Sequence, residues 1–371
     1  VAVVLGFKHQ VRDKVVGLGS DIILSSIDAS QLYQMAPVEG NDSLMHVLEQ
    51  VPGVKHAQRF SSKPGMIMTA DNFQGMVLKG VGQEYDLKYL TEHLVEGTLP
   101  AFTDSVASNQ TLISRSIADK LGVKVGDKLY TYFIEDGVRA RRLTVSGIYQ
   151  TNLSNYDDYF LVTDIYTLGR LNNWKSDQVS GLELEVTDYN QLEAVTDRVR
   201  ALINDRTDAY GSTYCARSVE EVYPQIFAWL NLLDTNVWVI LILMTGVAGF
   251  TMISGLLIII LERTNMIGVL KALGADNASI RRIFLLFSVF LIGKGMLWGN
   301  IIGVGLCLIQ YFFAPFKLDP VTYYVNTVPV ELNIGYYLLL NLATLLVAVG
   351  MLIGPSFLVS RIHPARSIRF E

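Results

Sequence analysis

Val237-Trp238-Val239-Ile240-Leu241-Ile242-Leu243-Met244-Thr245-Gly246-Val247-Ala248-Gly249-Phe250-Thr251-Met252-Ile253-Ser254-Gly255-Leu256-Leu257-Ile258-Ile259-Ile260-Leu261 carries no charged side chain. As a helix rising 1.5 Å per residue it is about 37 Å long, enough to cross a hydrocarbon core of about 30 Å. Two further stretches read the same way: 283–316, interrupted only by Lys294, and 334–359, with no charge. The ends of these spans set their direction. Between Glu262 and Arg282 the chain carries Arg263, Lys271, Arg281 and Arg282 against Glu262 and Asp276. The connector from Lys317 to Glu331 has one cation, while the tail carries Arg361, Arg366 and Arg369. The positive-inside rule places the first loop and the tail in the cytoplasm and the connector outside.

Tracing backward, the span at 237–261 runs from outside to inside, so the long stretch before it lies outside the cytoplasm. Val1 to Phe7 is apolar and is followed by an amphipathic run through Val11, Val15, Val16 and Leu18. It reads as the end of a first span. The expected fold is an α-helical membrane domain of four transmembrane helices, the first truncated, plus a large α+β extracytoplasmic (periplasmic) domain inserted between helices 1 and 2. The expected boundaries are 1–7 for the end of helix 1, 8–236 for the periplasmic domain and 237–261 for helix 2. A cytoplasmic coupling loop at 262–282, helix 3 at 283–316, a periplasmic connector at 317–333, helix 4 at 334–360 and a cytoplasmic tail at 361–371 complete the chain.

Composition agrees with two solvents. Half of the 371 residues are hydrophobic and 18% are charged, against about 25% charged in soluble domains. The net charge of −5 and the lack of a basic stripe exclude a nucleic-acid partner. Cys215 and Cys307 fall outside and inside the membrane respectively, so no disulfide is expected, and the five histidines show no metal-ligand spacing.

The outer domain mixes strand-like runs (22–27, 66–70, 75–80, 128–133, 142–148, 182–186) with helical ones (44–50, 114–121, 191–203, 219–233). Glu135-Asp136-Gly137 reads as a hairpin turn. No phosphate-binding loop, nucleophile elbow or metalloprotease motif occurs. Asp157 and Asp158 read as solvated loop charges, and no catalytic, cofactor or metal residue is expected.

Glu262-Arg263-Thr264-Asn265-Met266-Ile267-Gly268-Val269-Leu270-Lys271-Ala272-Leu273-Gly274-Ala275 resembles the signature of four-span ABC permeases. That family includes the lipoprotein-releasing permeases LolC and LolE, the efflux permease MacB and the division permease FtsX. The run from Leu112 to Lys128 is similar to the family's small extracytoplasmic motif. Pro355-Ser356 with Ser360 to Arg369 resembles its closing pattern. Met266 departs from it, standing where the family commonly has glutamate. The segment from Phe133 to Arg141 is a tight turn where one lipoprotein-releasing subunit carries a long hook, so the chain looks like the subunit without that hook.

The resemblance implies a non-catalytic permease subunit in the bacterial inner membrane, extracting lipoproteins with energy from a separate LolD-like ABC ATPase that binds the ATP and Mg. The other expected partners are a second permease copy or sister permease, the lipoprotein substrate and a periplasmic lipoprotein chaperone. MacB-like efflux or FtsX-like regulation of cell-wall hydrolases is the alternative. Arg263, Met266, Ile267, Leu270, Lys271, Leu273 and Gly274 are then the ATPase-coupling residues, on a short amphipathic cytoplasmic helix. Phe227, Trp229, Leu230, Leu233, Val237, Ile240 and Met244 recur at helical spacing on the approach to the second span. They either line a pocket for acyl chains between protomers or pack against the domain and the headgroups.

Lys294 is an intramembrane charge, costing at least about 2.5–3.5 kcal/mol at mid-span. It faces a hydrated cleft, meets a carbonyl at a subunit interface, or snorkels. Gly295, Gly299 and Gly303, four apart beside it, are expected to allow close helix packing.

Overall fold

The computed structural model describes residues 1–27, 36–69, 72–103, 105–134, 137–203, 206–323 and 325–356. In chain order the elements begin with α1 (Ala2–Gly17), β1 (Ile22–Ser26), β2 (Val38–Glu39), α2 (Asp42–Glu49), β3 (Val54–Met68) and β4 (Phe73–Val81). They continue with α3 (Lys88–Glu92), β5 (Leu94–Gly97), β6 (Gln110–Ser114), α4 (Arg115–Leu121), β7 (Lys128–Ile134) and β8 (Val138–Tyr149). Next come α5 (Ser154–Asp157), β9 (Phe160–Asp164), α6 (Ile165–Asn172), β10 (Gln178–Val179), β11 (Gly181–Val186), α7 (Leu192–Ile203) and β12 (Tyr214–Ser218). The helices α8 (Val219–Val222), α9 (Pro224–Glu262), α10 (Thr264–Ala272), α11 (Asn277–Phe313), α12 (Pro320–Tyr323) and α13 (Ile334–Ser356) follow.

The chain divides into two units. The larger, His9–Ala228 with Leu318–Asn326, is built on one mixed sheet of order β12-β1-β11-β3-β4-β9-β6-β8-β5, with β7 bridging β3 and β8. Most neighbours are antiparallel. The pairs β4/β9 and β6/β8 are parallel, and in each a crossover brings the chain back along the sheet.

Two strand-to-helix turns repeat one device. Ser114 ends β6 and accepts the Ile117 N–H at 3.0 Å, and Asp164 ends β9 and accepts the Thr167 N–H at 2.7 Å. Each side chain fills an orphan donor of the following helix. The helices α4 and α6 end at left-handed residues, Gly122 and Asn173, and drop Ile117, Leu121, Leu168 and Leu171 into a core with Ile67, Leu78, Phe133, Leu143 and Leu161. Ser218 and Glu221 form a reciprocal capping box on α8.

The hairpin of β7 and β8 is present, paired from Lys128↔Thr144 to Ile134↔Val138. Two residues of its turn, 135 and 136, lie outside the described residues, as do Ser360 to Arg369 of the closing motif. Asp157 corrects its expectation. It is 7% exposed and accepts from the Thr151 N–H and hydroxyl and from the Asn152 N–H, so its carboxylate staples the loop instead of meeting water. Asp158 is held by Ser116 and Lys120. Cys215 and Cys307 are both free.

Asp21, beyond the end of α1, is buried beside an open polar cavity of about 530 Å³. Burial pushes its carboxyl up from 3.8 to about 6, against the Val186 N–H that it accepts at 2.8 Å. The folded chain therefore holds a proton here that the unfolded chain has released between about pH 4 and 6. Stability from this group falls as pH rises through that window, by on the order of 3 kcal/mol. Asp21→Asn keeps an acceptor for Val186 and removes the ionisation. The expected outcome is a higher thermal midpoint of the detergent-purified chain at pH 7.5 and a flatter profile between pH 4 and 6. An unaltered slope would assign that pH dependence elsewhere.

Candidate functional site

The smaller unit comprises Val1–Lys8, Trp229–Lys317 and the chain from Thr327 onward. Among the described residues three helices are long and apolar enough to cross a membrane: Pro224–Glu262, Asn277–Phe313 and Ile334–Gly354. At 39 residues α9 is about 58 Å long, almost twice a hydrocarbon core of roughly 30 Å. Leu256 and Ile260 of α9, Ile280, Phe284 and Ile292 of α11, and Ala348 and Leu352 of α13 pack together.

α10 is short, and its faces have different fates. Ile267 is fully buried in that core, and Leu270 and Ala275 pack against it. Met266 is 42% exposed, Val269 50% and Leu273 80%. Spaced i, i+3, i+7, these three form one apolar stripe facing away from the chain. Among the residues expected to couple to an ATPase, Ile267 and Leu270 thus serve the chain's own core. Arg263, Met266 and Leu273 lie outward, and Val269 joins them. The sequence signal that finds Val269 is the i, i+3, i+7 spacing itself, and burial decides which of two overlapping stripes faces home.

The end of α10 is fixed by a Schellman motif. Gly274, at φ +93°, donates its N–H to Lys271 O at 3.1 Å, and Ala275 donates to Leu270 O at 3.0 Å. A left-handed φ of this kind favours glycine. The Asp276 side chain then accepts the Ser279 N–H at 3.2 Å to start α11. Hydrogen bonds from Ser279 hold its carboxyl below the usual range.

The residues expected to face lipid are also divided. Phe227 is 6% and Leu230 1% exposed. Trp229 stands edge-on to Phe7, ring centroids 5.4 Å apart, and Lys8 pairs with Asp234. Leu233 and Val237 are half-buried, while Ile240 and Met244 are exposed. Met244 also lines a groove of about 260 Å³ with Leu241, Thr245, Ala248 and Gly249 of α9 and Met351 of α13. A Cβ on Gly249 would sit 2.0 Å from Met351 Sδ, so the bare backbone makes room for that methionine.

On α11, Asn300 donates to Asn341 Oδ1 of α13 at 2.7 Å, a polar tie between two apolar helices. The glycine stripe lies elsewhere. Added Cβ atoms at Gly295, Gly299 and Gly303 would meet nothing within 4 Å, so within this chain these glycines pack against no described neighbour. Lys294 is exposed, with its ammonium 5.4 Å from the Phe290 ring. No metal-binding group of His, Cys, Asp and Glu occurs among the described residues.

These features define a multi-pass membrane protein with a large α/β domain and, between two of its apolar helices, a short helix with an exposed apolar stripe. Residues 1–202 match the MacB-like periplasmic core domain, and residues 238–364 match the FtsX-like permease C-terminal domain. The chain belongs to the family of FtsX-like permeases with a MacB-like periplasmic core, an ABC-type permease superfamily that includes LolC, LolE and MacB.

It is similar, at 21% identity over 390 residues, to the lipoprotein-releasing system transmembrane protein LolC of Xylella fastidiosa, covering 100% of this chain and 89% of that one. A macrolide export ATP-binding/permease protein MacB of Bdellovibrio bacteriovorus is 21% identical over 386 residues, covering 99% of this chain and 56% of that protein. The extracellular domain of the noncanonic ABC-type transporter YknZ from Gram-positive bacteria aligns with 54% of this chain and 100% of its own, at 15% identity and a TM-score of 0.38.

Proposed function

We propose that the chain is the permease subunit of an ABC complex in a bacterial inner membrane, and that it uses ATP hydrolysis by a separate ATPase to extract lipoproteins from that membrane. The observation that carries the reading is α10. Its inner face is locked in the chain's core, its end is fixed at Gly274, and its outer face presents Met266, Val269 and Leu273. Such a helix transmits a push made on its outer face to α9, α11 and α13. In this reading α10 faces the cytoplasm and the ATPase binds the ATP and Mg. The amino-terminal part of α1 belongs to a fourth span. A second copy or a sister permease supplies the other docking helix that a pair of ATPases needs.

The groove lined by Leu241, Met244 and Met351 suits acyl chains, since it is apolar and opens beside exposed lipid-facing residues such as Ile240. Full-length similarity to lipoprotein-releasing proteins supports that cargo. Similarity to a macrolide exporter over nearly the same length supports efflux as the second reading.

Depletion of the chain in cells separates the two. Accumulation of acylated lipoproteins in the inner-membrane fraction is expected, with macrolide sensitivity unchanged. Normal lipoprotein sorting together with macrolide sensitivity would replace the first reading by the second.

A further inference from the structure

Helix α1 ends at a carbonyl held by side chains shut away from water. Leu18, one residue past α1, has its oxygen 2.6 Å from Lys79 Nζ and 3.1 Å from the Tyr85 hydroxyl, both of which donate to it. Lys79 also donates to Glu183 Oε1 at 2.6 Å, and Gln58 Nε2 donates to the other Glu183 oxygen at 3.1 Å. Lys79 is 4% and Glu183 2% exposed. They stand on β4 and β11, the strands on either side of β3, which carries Gln58. One ammonium therefore ties three adjacent strands to one helix end.

Stability alone does not call for this arrangement. Two charges taken out of water lose their hydration, and a packed apolar pair of similar volume often holds a fold as well. What the ammonium adds is direction. The last carbonyls of a helix lack partners and carry the negative end of its dipole, and Lys79 meets that end from within the sheet. The rings of Phe60 and Tyr85, with centroids 5.5 and 5.2 Å from Nζ, leave it little freedom.

A second carbonyl of the last turn, on Val15, accepts from the Tyr156 hydroxyl at 3.2 Å. That hydroxyl lies 2.9 Å from the hydroxyl of Tyr223, between α8 and α9. α1 and α9 are the helices through which the chain passes between its two units, at residues 8/9 and 228/229.

We propose that Lys79, held by Glu183, is a positioning residue that locks the carboxyl end of α1 to the sheet, so that ATP-driven motion of α1 is delivered to the periplasmic core domain instead of being lost in slippage. This rests on the permease reading above, and Lys79 acts through α1 without touching ATPase or cargo.

The test uses the whole complex in proteoliposomes, with the double variant Lys79→Met/Glu183→Leu and spin labels on cysteines at exposed Gln10 and Asn190, after Cys215 and Cys307 are replaced by serine. With Lys79 and Glu183 in place, the distance between labels is expected to be the same with and without trapped nucleotide. In the double variant it should shift on trapping. ATP hydrolysis should stay within about twofold while lipoprotein released per ATP falls about tenfold. A nucleotide-independent distance with unchanged release per ATP in the double variant would overturn the proposal.

If the unmodified complex releases no lipoprotein, the cargo assignment fails and the distance measurement alone decides the lock. If the double variant does not fold, Tyr85→Phe removes one of the two donors to Leu18, and release per ATP should fall about threefold. In that case Lys79→Gln, which removes the ammonium and keeps a donor, decides: unchanged release per ATP in Lys79→Gln would overturn the proposal.

Discussion

Leu273→Asp is expected to abolish stimulation of the proposed partner ATPase, a loss of more than about tenfold, while the chain itself stays folded. Leu273 is 80% exposed and makes no contribution to the core of α9, α11 and α13, so its removal leaves that core intact. An acidic group near the carboxyl end of α10 opposes the helix dipole by only about 0.3–1 kcal/mol. An aspartate pressed into an apolar cleft on a partner is different, because a carboxylate desolvated without a counter-charge costs several kcal/mol.

Ile267→Asp separates the two faces of the helix. Ile267 is fully buried, so this variant should fail to accumulate as folded protein. ATPase rates of the reconstituted complex and the yield of monodisperse chain measure both. Full stimulation with Leu273→Asp would remove α10 from the coupling route.

Phe133→Ala is expected to destabilise the larger unit by about 3–5 kcal/mol. The ring is fully buried in the core between β7 and the helices α4 and α6, beside Ile67, Leu129 and Leu143. Its site is made by a missing side chain across the sheet, since a Cβ on Gly65 would lie 2.7 Å from the ring. Neighbours this constrained do not close over the hole, and the cavity term adds to the lost transfer energy. For a unit of this size the loss corresponds to roughly 6–20 °C in thermal midpoint. A drop below about 2 °C in the detergent-purified chain would show that the site collapses or that Phe133 is not at the centre of the core.

The membrane helices were legible in the sequence because lipid is a uniform solvent that leaves a long charge-free run as its mark, as in 237–261. The stop of α10 was legible too, since a glycine after an amphipathic turn has few other uses. The strands β6 and β9 leave no such mark in the sequence, although four of five residues in one and all five in the other are buried. A short strand covered on both faces shows no alternation, and only the caps Ser114 and Asp164 betray the helices that follow. β3 shows itself in the sequence only at its end, because Pro64-Gly65 looks like a break until Phe133 is seen to need that space. The approach to α9 leaves two readings open for a related reason. Phe227 and Leu230 have the spacing of a lipid-facing stripe, and nothing local tells the burial found there from exposure to lipid. Asp157 looked like a loop charge because its partners, Thr151 and Asn152, are donors only once the loop has closed.

We propose above that this permease lifts acylated proteins out of a membrane at the expense of ATP. The release of a radiolabelled lipoprotein is to be followed from proteoliposomes holding this chain, a LolD-like ABC ATPase and any sister permease. Label should appear in a soluble chaperone fraction with ATP and stay in the membrane without it. Stimulated ATP hydrolysis with all of the label still in the bilayer would contradict the claim.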